Sequence, residues 1–160
     1  MAEEKPIKVR LKFPGDLEYI PAVRKFVSEM LQVNHFSPKF AFRSEIIVDE
    51  ICNNAVSYGC NASNATVEIV CLIYGERIEF LVKDSGGKNE DIKRLKAAMV
   101  AEDKAAMAAA SKPTGPGLGL EIVRMLSEEV NLEVDDNNLT SIRVVRHRED
   151  KKEKHKKAAN

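Results

Sequence analysis

Two short runs of alternating apolar and polar residues, joined by a tight turn, constrain the fold of this chain most strongly. Apolar side chains recur at every second position through Val67–Ile73 and again through Ile78–Val82, on either side of Tyr74–Glu76. A period of two is that of a strand with one buried face, and so short a connection requires antiparallel neighbours. The middle of the chain is therefore predicted to be a β-hairpin that other elements cover on one face.

Two segments with helical periodicity precede this hairpin. Apolar residues recur at helical spacing through Ile20–Leu31, and a second helix is predicted over Pro38–Tyr58. Ser37 supplies a hydroxyl for the N-cap of that helix, and the proline after it suits the first helical position. Gly59 is expected to end the helix in a left-handed conformation. These helices are the candidates for the covering layer.

Further elements lie on either side. Ile7–Phe13 alternates like a strand, helical period resumes over Leu118–Val130, and strands are predicted near Asn131–Val134 and Thr140–Arg146. This order predicts an α+β fold, a two-layer α/β sandwich whose mixed or antiparallel sheet carries helices on one face. The segment 84–116, which is alanine-rich from Ala97 to Ala110, is predicted to be either a lid that a bound ligand orders or a solvent-facing helix that fills a long connection.

Composition limits the classes of partner. The 160 residues contain 25 Lys and Arg against 25 Asp and Glu, so no net charge attracts the chain to nucleic acid or to anionic membranes. The N-terminus has no apolar signal segment, and no stretch reaches the roughly 18 apolar residues of a membrane span. We therefore expect a cytoplasmic protein with no direct nucleic-acid or membrane partner. One domain is predicted over residues 1–147, followed by a charged, disordered tail at 148–160.

The pattern of the three cysteines does not indicate a disulfide-bonded or zinc-binding fold. Cys52, Cys60 and Cys71 are odd in number and lack CxxC spacing, and two of them lie within apolar runs. They are predicted to be small buried hydrophobic residues rather than a disulfide framework or a zinc site.

One pair of polar residues in the second helix indicates chemistry. Glu50 and Asn54 are four residues apart, so in a helix both project from one face about one turn apart. A carboxamide oxygen can ligate a hard cation, while a carboxylate can accept a proton or orient a hydroxyl. The pair is compatible with a Mg-nucleotide site; an ordinary solvated helix face is the alternative.

Two glycine-containing segments strengthen the nucleotide interpretation. Asp84 directly follows a strand and can accept a hydrogen bond from an exocyclic amine such as that of adenine, while Gly86 lets the backbone approach a flat ligand. By itself this segment is also compatible with a simple turn. Gly115–Gly119 lies immediately before a helix and presents backbone N–H groups to phosphates. A dinucleotide-binding fingerprint is excluded because that motif follows the first strand of a βαβ unit.

In this order and spacing, the three segments resemble the boxes of the GHKL superfamily of ATP-binding domains, which includes those of gyrase and the histidine kinases. Glu50–Ala55 resembles the N box, Asp84–Gly86 the G1 box and Gly115–Gly119 the G2 box. Within the superfamily the chain most resembles the anti-sigma-factor serine kinases, from about Lys8 to Arg146. The resemblance implies the Bergerat ATP-binding fold of that family.

The resemblance also implies roles for individual residues, with ATP and Mg²⁺ as cofactors. The family's residue at Glu50 is the catalytic base that activates a partner's serine, the one at Asn54 holds the metal, and the one at Asp84 reads the adenine amine. The expected nucleotide-binding residues, on this resemblance, are Asn54, Asp84, Gly86, Lys112, Gly115, Gly117, Leu118, Gly119, Thr140 and Ser141.

The resemblance predicts an anti-sigma factor and ATP-dependent protein-serine kinase. Such a protein sequesters a sigma factor and phosphorylates an anti-anti-sigma (STAS-type) partner, and a homodimer is expected. The arginine that these kinases often place before the G2 glycines is missing, since Gly115 and Pro116 stand there and Lys112 is the nearest cation. That departure motivates an alternative, an ATP-binding interaction module without kinase activity. A detached histidine-kinase ATP domain is disfavoured because no predicted helix carries a phosphoacceptor histidine.

Overall fold

The computed structural model describes residues 3–60, 63–85, 117–137 and 139–148, together with the single positions 93 and 97. Over these ranges the chain forms five strands, three α-helices and one short 3-10 helix. In chain order they are β1 (Ile7–Pro14), the 3-10 helix (Leu17–Tyr19), α1 (Ile20–Val33), α2 (Pro38–Gly59), β2 (Thr66–Ile73), β3 (Arg77–Asp84), α3 (Gly117–Leu126), β4 (Glu129–Val134) and β5 (Thr140–His147).

The strands form one antiparallel sheet in the order β1-β2-β3-β5-β4. The predicted hairpin is its centre, where Cys71 of β2 lies opposite Phe80 of β3, and Phe80 lies opposite Val144 of β5. Because partners in register point to the same face, these three buried side chains continue one apolar row across the sheet. The α+β prediction is confirmed, and of the two sheet types expected the described strands adopt the antiparallel one.

All three α-helices contribute to the core on one face of this sheet. Helix α2 lies at the centre of the layer, with Ile47, Val48 and Ile51 fully buried. Burial of each such side chain contributes about 1.5–3 kcal/mol, so α2 is firmly fixed on the sheet. The opposite face carries charged side chains, for example Arg143 paired with Glu79 at 2.7 Å, together with the buried apolar residues Val70 and Val145.

The start of α2 was predicted correctly, but its end was not. The Ser37 hydroxyl accepts a hydrogen bond from the Phe40 backbone N–H at 3.1 Å, as an N-cap does. Gly59 is the last helical residue and its φ lies outside the left-handed region, so the predicted left-handed cap is wrong. The chain leaves the helix through Cys60 in an extended conformation, at φ −113° and ψ 100°.

The predicted last helix is too long at its C-terminal end. Helix α3 ends at Leu126, and Val130 lies in β4 opposite Val144. The Glu128 N–H donates to the Val145 carbonyl at 2.9 Å, so backbone pairing with the sheet replaces the helical bond. Val130 nevertheless packs against the core, because a strand's alternation and a helix's i+4 spacing both make that position apolar.

The end of β5 leads into a residue that the sequence assigned to the tail. Arg148 donates from Nε to the Gly75 carbonyl at 2.7 Å and from Nη1 to the His35 carbonyl at 2.9 Å. Its guanidinium also lies 3.8 Å from the centre of the Phe36 ring. The rest of the predicted tail, and nearly all of the predicted lid, lie outside the described residues. In the part of the chain that is described, no helix is long and apolar enough to cross a bilayer.

Candidate functional site

Most of the sequence-predicted site residues that the structure describes lie where the C-terminal half of α2 meets three other elements. Glu50 of α2 approaches Gly119 in the first turn of α3. At the end of the same helix, Gly59 approaches Asp84, the last residue of β3. Asp84 in turn binds Thr140, the first residue of β5. The fold therefore brings together residues from Glu50 to Thr140, which are 90 positions apart in the sequence.

Asn54 lies between these two contacts along α2. Its side chain is 7% exposed, and among the described residues its Nδ2 has no hydrogen-bond partner. The unpaired atom is a hydrogen-bond donor, which suits a phosphate oxygen, whereas the oxygen of the same carboxamide is the atom that can ligate a cation. A buried polar atom without a partner costs about 1–3 kcal/mol. A ligand that pairs with this carboxamide would remove that cost.

The Glu50 carboxyl is half-buried, and two features raise its pKa. Partial burial is the larger cause, and the negative charge of neighbouring Asp49 adds to it. Asp49 is held in place by an ion pair with Arg24 of α1, with Nη1 and Oδ1 2.7 Å apart. A raised pKa makes a carboxylate a stronger base, which suits the transfer of a proton near neutral pH.

Glu50 lies close to the backbone of α3 at Gly119, where a larger residue would displace its carboxylate. A Cβ placed on Gly119 would lie 2.9 Å from Cδ of Glu50, and closer still to one of its oxygens. Gly119 lies in the first turn of α3, whose N–H groups have no partner within the helix. The carboxylate of α2 and the electropositive start of α3 therefore face one another.

Asp84 is almost fully buried and held by β5. Its Oδ1 accepts a hydrogen bond from the Thr140 backbone N–H at 3.3 Å, and its Oδ2 accepts one from the Thr140 hydroxyl. A Cβ placed on Gly59 would lie 2.7 Å from Cβ of Asp84, with the carboxylate closer. Gly59 is therefore glycine because the end of β3 lies against the end of α2. The sequence contains the residue but no pattern that reveals this packing.

The remaining predicted residues do not all lie at this site. Gly117 and Leu118 begin α3, so two of the three glycines expected before the helix lie inside its first turn. Ser141 follows Thr140 in β5 and faces the opposite side of the sheet, beside Arg143, so the structure does not bring it together with Asp84. Three predicted residues lie outside the described part of the chain: Gly86, Lys112 and Gly115.

Cys60 is a neighbour of the site that sequence reasoning missed. Burial is the main cause that raises the pKa of its thiol, and the charge of nearby Asp84 raises it further, against hydrogen bonds with Ser85 that lower it. A Cβ on Gly15 would lie 2.6 Å from the Cys60 sulfur, so the segment after β1 also packs here. Cys52 and Cys71 are buried in the core, as predicted, whereas Cys60 is only partly buried.

The residues present fit a magnesium nucleotide. Asp84 offers a buried carboxylate that can accept from an amine, and the start of α3 offers N–H donors. Asn54 offers an unpaired amide nitrogen, which can donate to a phosphate, and an amide oxygen, which can ligate a cation. The described residues contain no group of three His, Cys, Asp or Glu side chains that could hold a metal ion by itself. Asn54 could hold a cation jointly with oxygens of a nucleotide, because an amide oxygen is a ligand that Mg²⁺ accepts.

Comparison with known proteins gives three findings. The sequence model described as "Histidine kinase-like ATPase domain" matches residues 13–146. The chain is 26% identical over 136 residues to the serine-protein kinase RsbW of Bacillus pumilus (strain SAFR-032), covering 79% of this chain and 78% of that protein. It is 24% identical over 133 residues to RsbW of Bacillus cereus (strain AH187), covering 81% and 79%.

Among solved structures, the fold is similar to a chain of the SiaB–SiaC complex from Pseudomonas aeruginosa. The TM-score is 0.64, and the match covers 86% of this chain and 88% of that one, at 18% sequence identity. At that identity the likeness concerns the fold, and the fold agrees with the Bergerat type that the sequence predicts.

Proposed function

The chain belongs to the histidine kinase-like ATPase family, which its sequence matches over residues 13–146, and from this membership we propose that it is an ATP-dependent protein-serine kinase and anti-sigma factor. It would sequester a sigma factor and phosphorylate a serine of an anti-anti-sigma (STAS-type) partner. The support is similarity, over about four fifths of the chain, to proteins named serine-protein kinase RsbW. Such a regulator would act in the cytoplasm, as a homodimer.

A single observation of this chain's own geometry carries the proposal. The carboxylate of Glu50 lies against the first turn of α3 at Gly119, one helical turn from the carboxamide of Asn54, whose nitrogen has no partner among the described residues. A general base, a cation ligand and a set of phosphate-binding N–H donors are thus adjacent. Phosphoryl transfer depends on this kind of positioning and charge neutralisation, with little covalent participation by the protein.

Nucleotide binding is assigned to the two contacts that the C-terminal half of α2 makes, one with α3 and one with Asp84. Asp84, already oriented by Thr140, accepts a hydrogen bond from the adenine amine, since an ionised carboxylate accepts several hydrogen bonds at once. The N–H groups at Gly117 and Gly119 donate to phosphate oxygens. We assign supporting contacts to Gly86, Lys112, Gly115 and Leu118, and none to Ser141, which faces away.

Asn54 holds the magnesium ion in this proposal, together with oxygens of the triphosphate. When bound, Mg²⁺ would neutralise negative charge on the phosphoryl group that is transferred. Glu50 orients the serine hydroxyl of the partner and accepts its proton, which leaves the serine oxygen nucleophilic. Burial and Asp49 raise the pKa of Glu50 and so increase its basicity for this step.

A specific observation also favours a second function, that of an ATP-binding interaction module without kinase activity. The sequence has Gly115 and Pro116 where related kinases often have an arginine that meets the γ-phosphate. Such an arginine contributes to stabilising charge in the transition state, so its loss would reduce transfer more than binding. The similar chain from Pseudomonas aeruginosa belongs to a complex of SiaB with SiaC, which supports a protein partner in either case.

Calorimetric titration with ATP, in Mg²⁺ and then in EDTA, tests the nucleotide site. Transfer of labelled phosphate from ATP to an anti-anti-sigma protein of the same organism then tests the kinase. We expect Mg-dependent binding, and transfer that Glu50→Gln abolishes while binding is retained. Glu45→Gln, a change of the same kind earlier in α2, is the matched control and should transfer normally.

The outcomes separate the two functions. Transfer by Glu50→Gln at the wild-type rate would show that Glu50 is not the base. Mg-ATP binding without transfer to any serine-bearing partner would favour the interaction module. Absence of binding at millimolar ATP would refute both proposals and leave the fold as a protein-binding domain.

A further inference from the structure

The largest fully buried side chain in the described structure is an arginine outside the site. Arg146 of β5 is 1% exposed and lies on the helix-covered face of the sheet. Its Nε donates to the Leu126 carbonyl at 2.9 Å, and its Nη1 donates to the Phe40 carbonyl at 3.0 Å and to the Ser44 hydroxyl at 2.7 Å. Its guanidinium carbon lies 4.0 Å from the centre of the Phe40 ring.

These acceptors belong to two different helices. Leu126 is the last residue of α3, whose carbonyls lack helical partners and carry the negative end of the helix dipole. Phe40 and Ser44 belong to the first two turns of α2. Burying a cation costs free energy unless the charge is well paired and hydrogen-bonded. The burial of Arg146 therefore indicates that its hydrogen bonds to the two helices matter to the fold.

The two helices that Arg146 joins are those whose opposite ends form the candidate site. Helix α3 carries Gly119 at its start, and α2 carries Glu50. We propose that Arg146 is a positioning residue, an inference that rests on the proposed function. It holds α3 against α2, so that the first turn of α3, which binds phosphate, stays in contact with the general base Glu50. Arg146 itself touches neither the nucleotide nor the partner's serine.

Arginine suits this role better than lysine. Its planar guanidinium directs donors in fixed directions, which allows it to bind carbonyls of two helices while its face stacks on Phe40. A lysine at the same position would present one compact charge. Its ammonium group would donate hydrogen bonds to the acceptors of one helix and leave those of the other helix without a donor. The conservative replacement is therefore expected to keep the charge and lose the coupling.

The test compares Arg146→Met and Arg146→Lys with Val27→Ala, a core substitution in α1, the helix that packs chiefly against α2. The dissociation constant for Mg-ATP is measured by calorimetry well below the unfolding temperature of each variant, and thermal unfolding is recorded in parallel. We expect binding at least about tenfold weaker in Arg146→Met and intermediate in Arg146→Lys. Val27→Ala should lower the unfolding temperature and keep the dissociation constant within about twofold.

Hydrogen exchange of α3 amides supplies a readout that does not depend on nucleotide. Protection over residues 117–126 should fall in Arg146→Met and remain unchanged in Val27→Ala at the same loss of thermal stability. If both arginine variants fail to fold, Ser44→Ala, which removes a single acceptor, should weaken Mg-ATP binding by about threefold.

The inference is overturned if the arginine variants, or Ser44→Ala in their place, keep wild-type affinity for Mg-ATP. It is also overturned if α3 loses no more protection in Arg146→Met than in Val27→Ala. Failure of the wild-type protein to bind ATP would refute the proposed function instead, and hydrogen exchange would still decide whether Arg146 holds α3 in place.

Discussion

Gly59→Ala is the sharpest test of how the adenine end of the site is built. The added methyl carbon would lie 2.7 Å from Cβ of Asp84 and would overlap its carboxylate. Asp84 cannot simply turn away, because Thr140 holds both of its oxygens. Either the end of β3 must shift from the end of α2, or the bonds between Asp84 and Thr140 must break.

The expected magnitude follows from three contributions. Overpacking of a filled interior costs about 1–3 kcal/mol, and loss of one hydrogen bond to a charged group costs about 1.5–3 kcal/mol. Alanine in a helix is favoured over glycine by about 1 kcal/mol, which opposes these costs. The free energy of unfolding should therefore fall by about 1.5–5 kcal/mol, which lowers the midpoint of thermal unfolding by roughly 3–20 °C for a chain of this size. Mg-ATP affinity should fall in parallel.

Denaturant unfolding and calorimetric ATP titration check this expectation. Gly75→Ala is the matched control, because a Cβ there would meet only Oε1 of Glu4, at 3.0 Å, at the end of a flexible side chain. The control should stay within about 0.5 kcal/mol of wild type. If Gly59→Ala is as stable as Gly75→Ala, Asp84 does not lie against α2 in solution and the adenine-side geometry is wrong.

Two further predictions concern ionisation. Since the fold raises the pKa of Glu50 above its ordinary value of 4.5, the favourable contribution of this group is full below that value and is lost as pH rises. In denaturant unfolding, Glu50→Gln should therefore be more stable than wild type at about pH 7 and equal to it at about pH 4. An equal gain in the free energy of unfolding at both pH values would contradict the burial of the Glu50 carboxyl. Burial raises the pKa of Cys71 to about 12 and also raises that of Cys52, so a thiol-alkylating reagent should label the native protein chiefly at Cys60, and Cys60→Ala should remove the fast phase. Rapid labelling that survives Cys60→Ala would show that a core thiol is accessible.

Local patterns determine most of the fold, and these are the features that the sequence predicts. Alternation identified the central hairpin, and the Ser37 hydroxyl with the following proline identified the start of α2. Val130 was misassigned because it satisfies helical and strand periodicity at once, and only pairing with β5 decides between them. The lateral order of the strands depends on contacts far apart in sequence, which no local pattern encodes.

For the candidate site, the sequence identified residue types but not the reasons for their spacing. Glu50 and Asn54 were predicted from their four-residue spacing on one helix face, and Asp84 from its position directly after a strand. Gly59 was interpreted as a helix cap because a glycine after a helix has that role most often. Its actual role is steric and depends on the arrival of β3 from a distant part of the chain.

The geometry of both ends of the site depends on one helix. Glu50 and Gly59 are separated by nine residues of α2, or roughly 13 Å along its axis. The first fixes the contact with α3 and the second the contact with Asp84, so α2 sets the distance between the proposed phosphate and adenine positions. Because Ile47 and Ile51 are fully buried beneath the sheet, α2 cannot slide or rotate without opening the core. Both contacts are therefore built into the folded domain, and nucleotide affinity should follow the integrity of α2 more closely than that of any single surface residue.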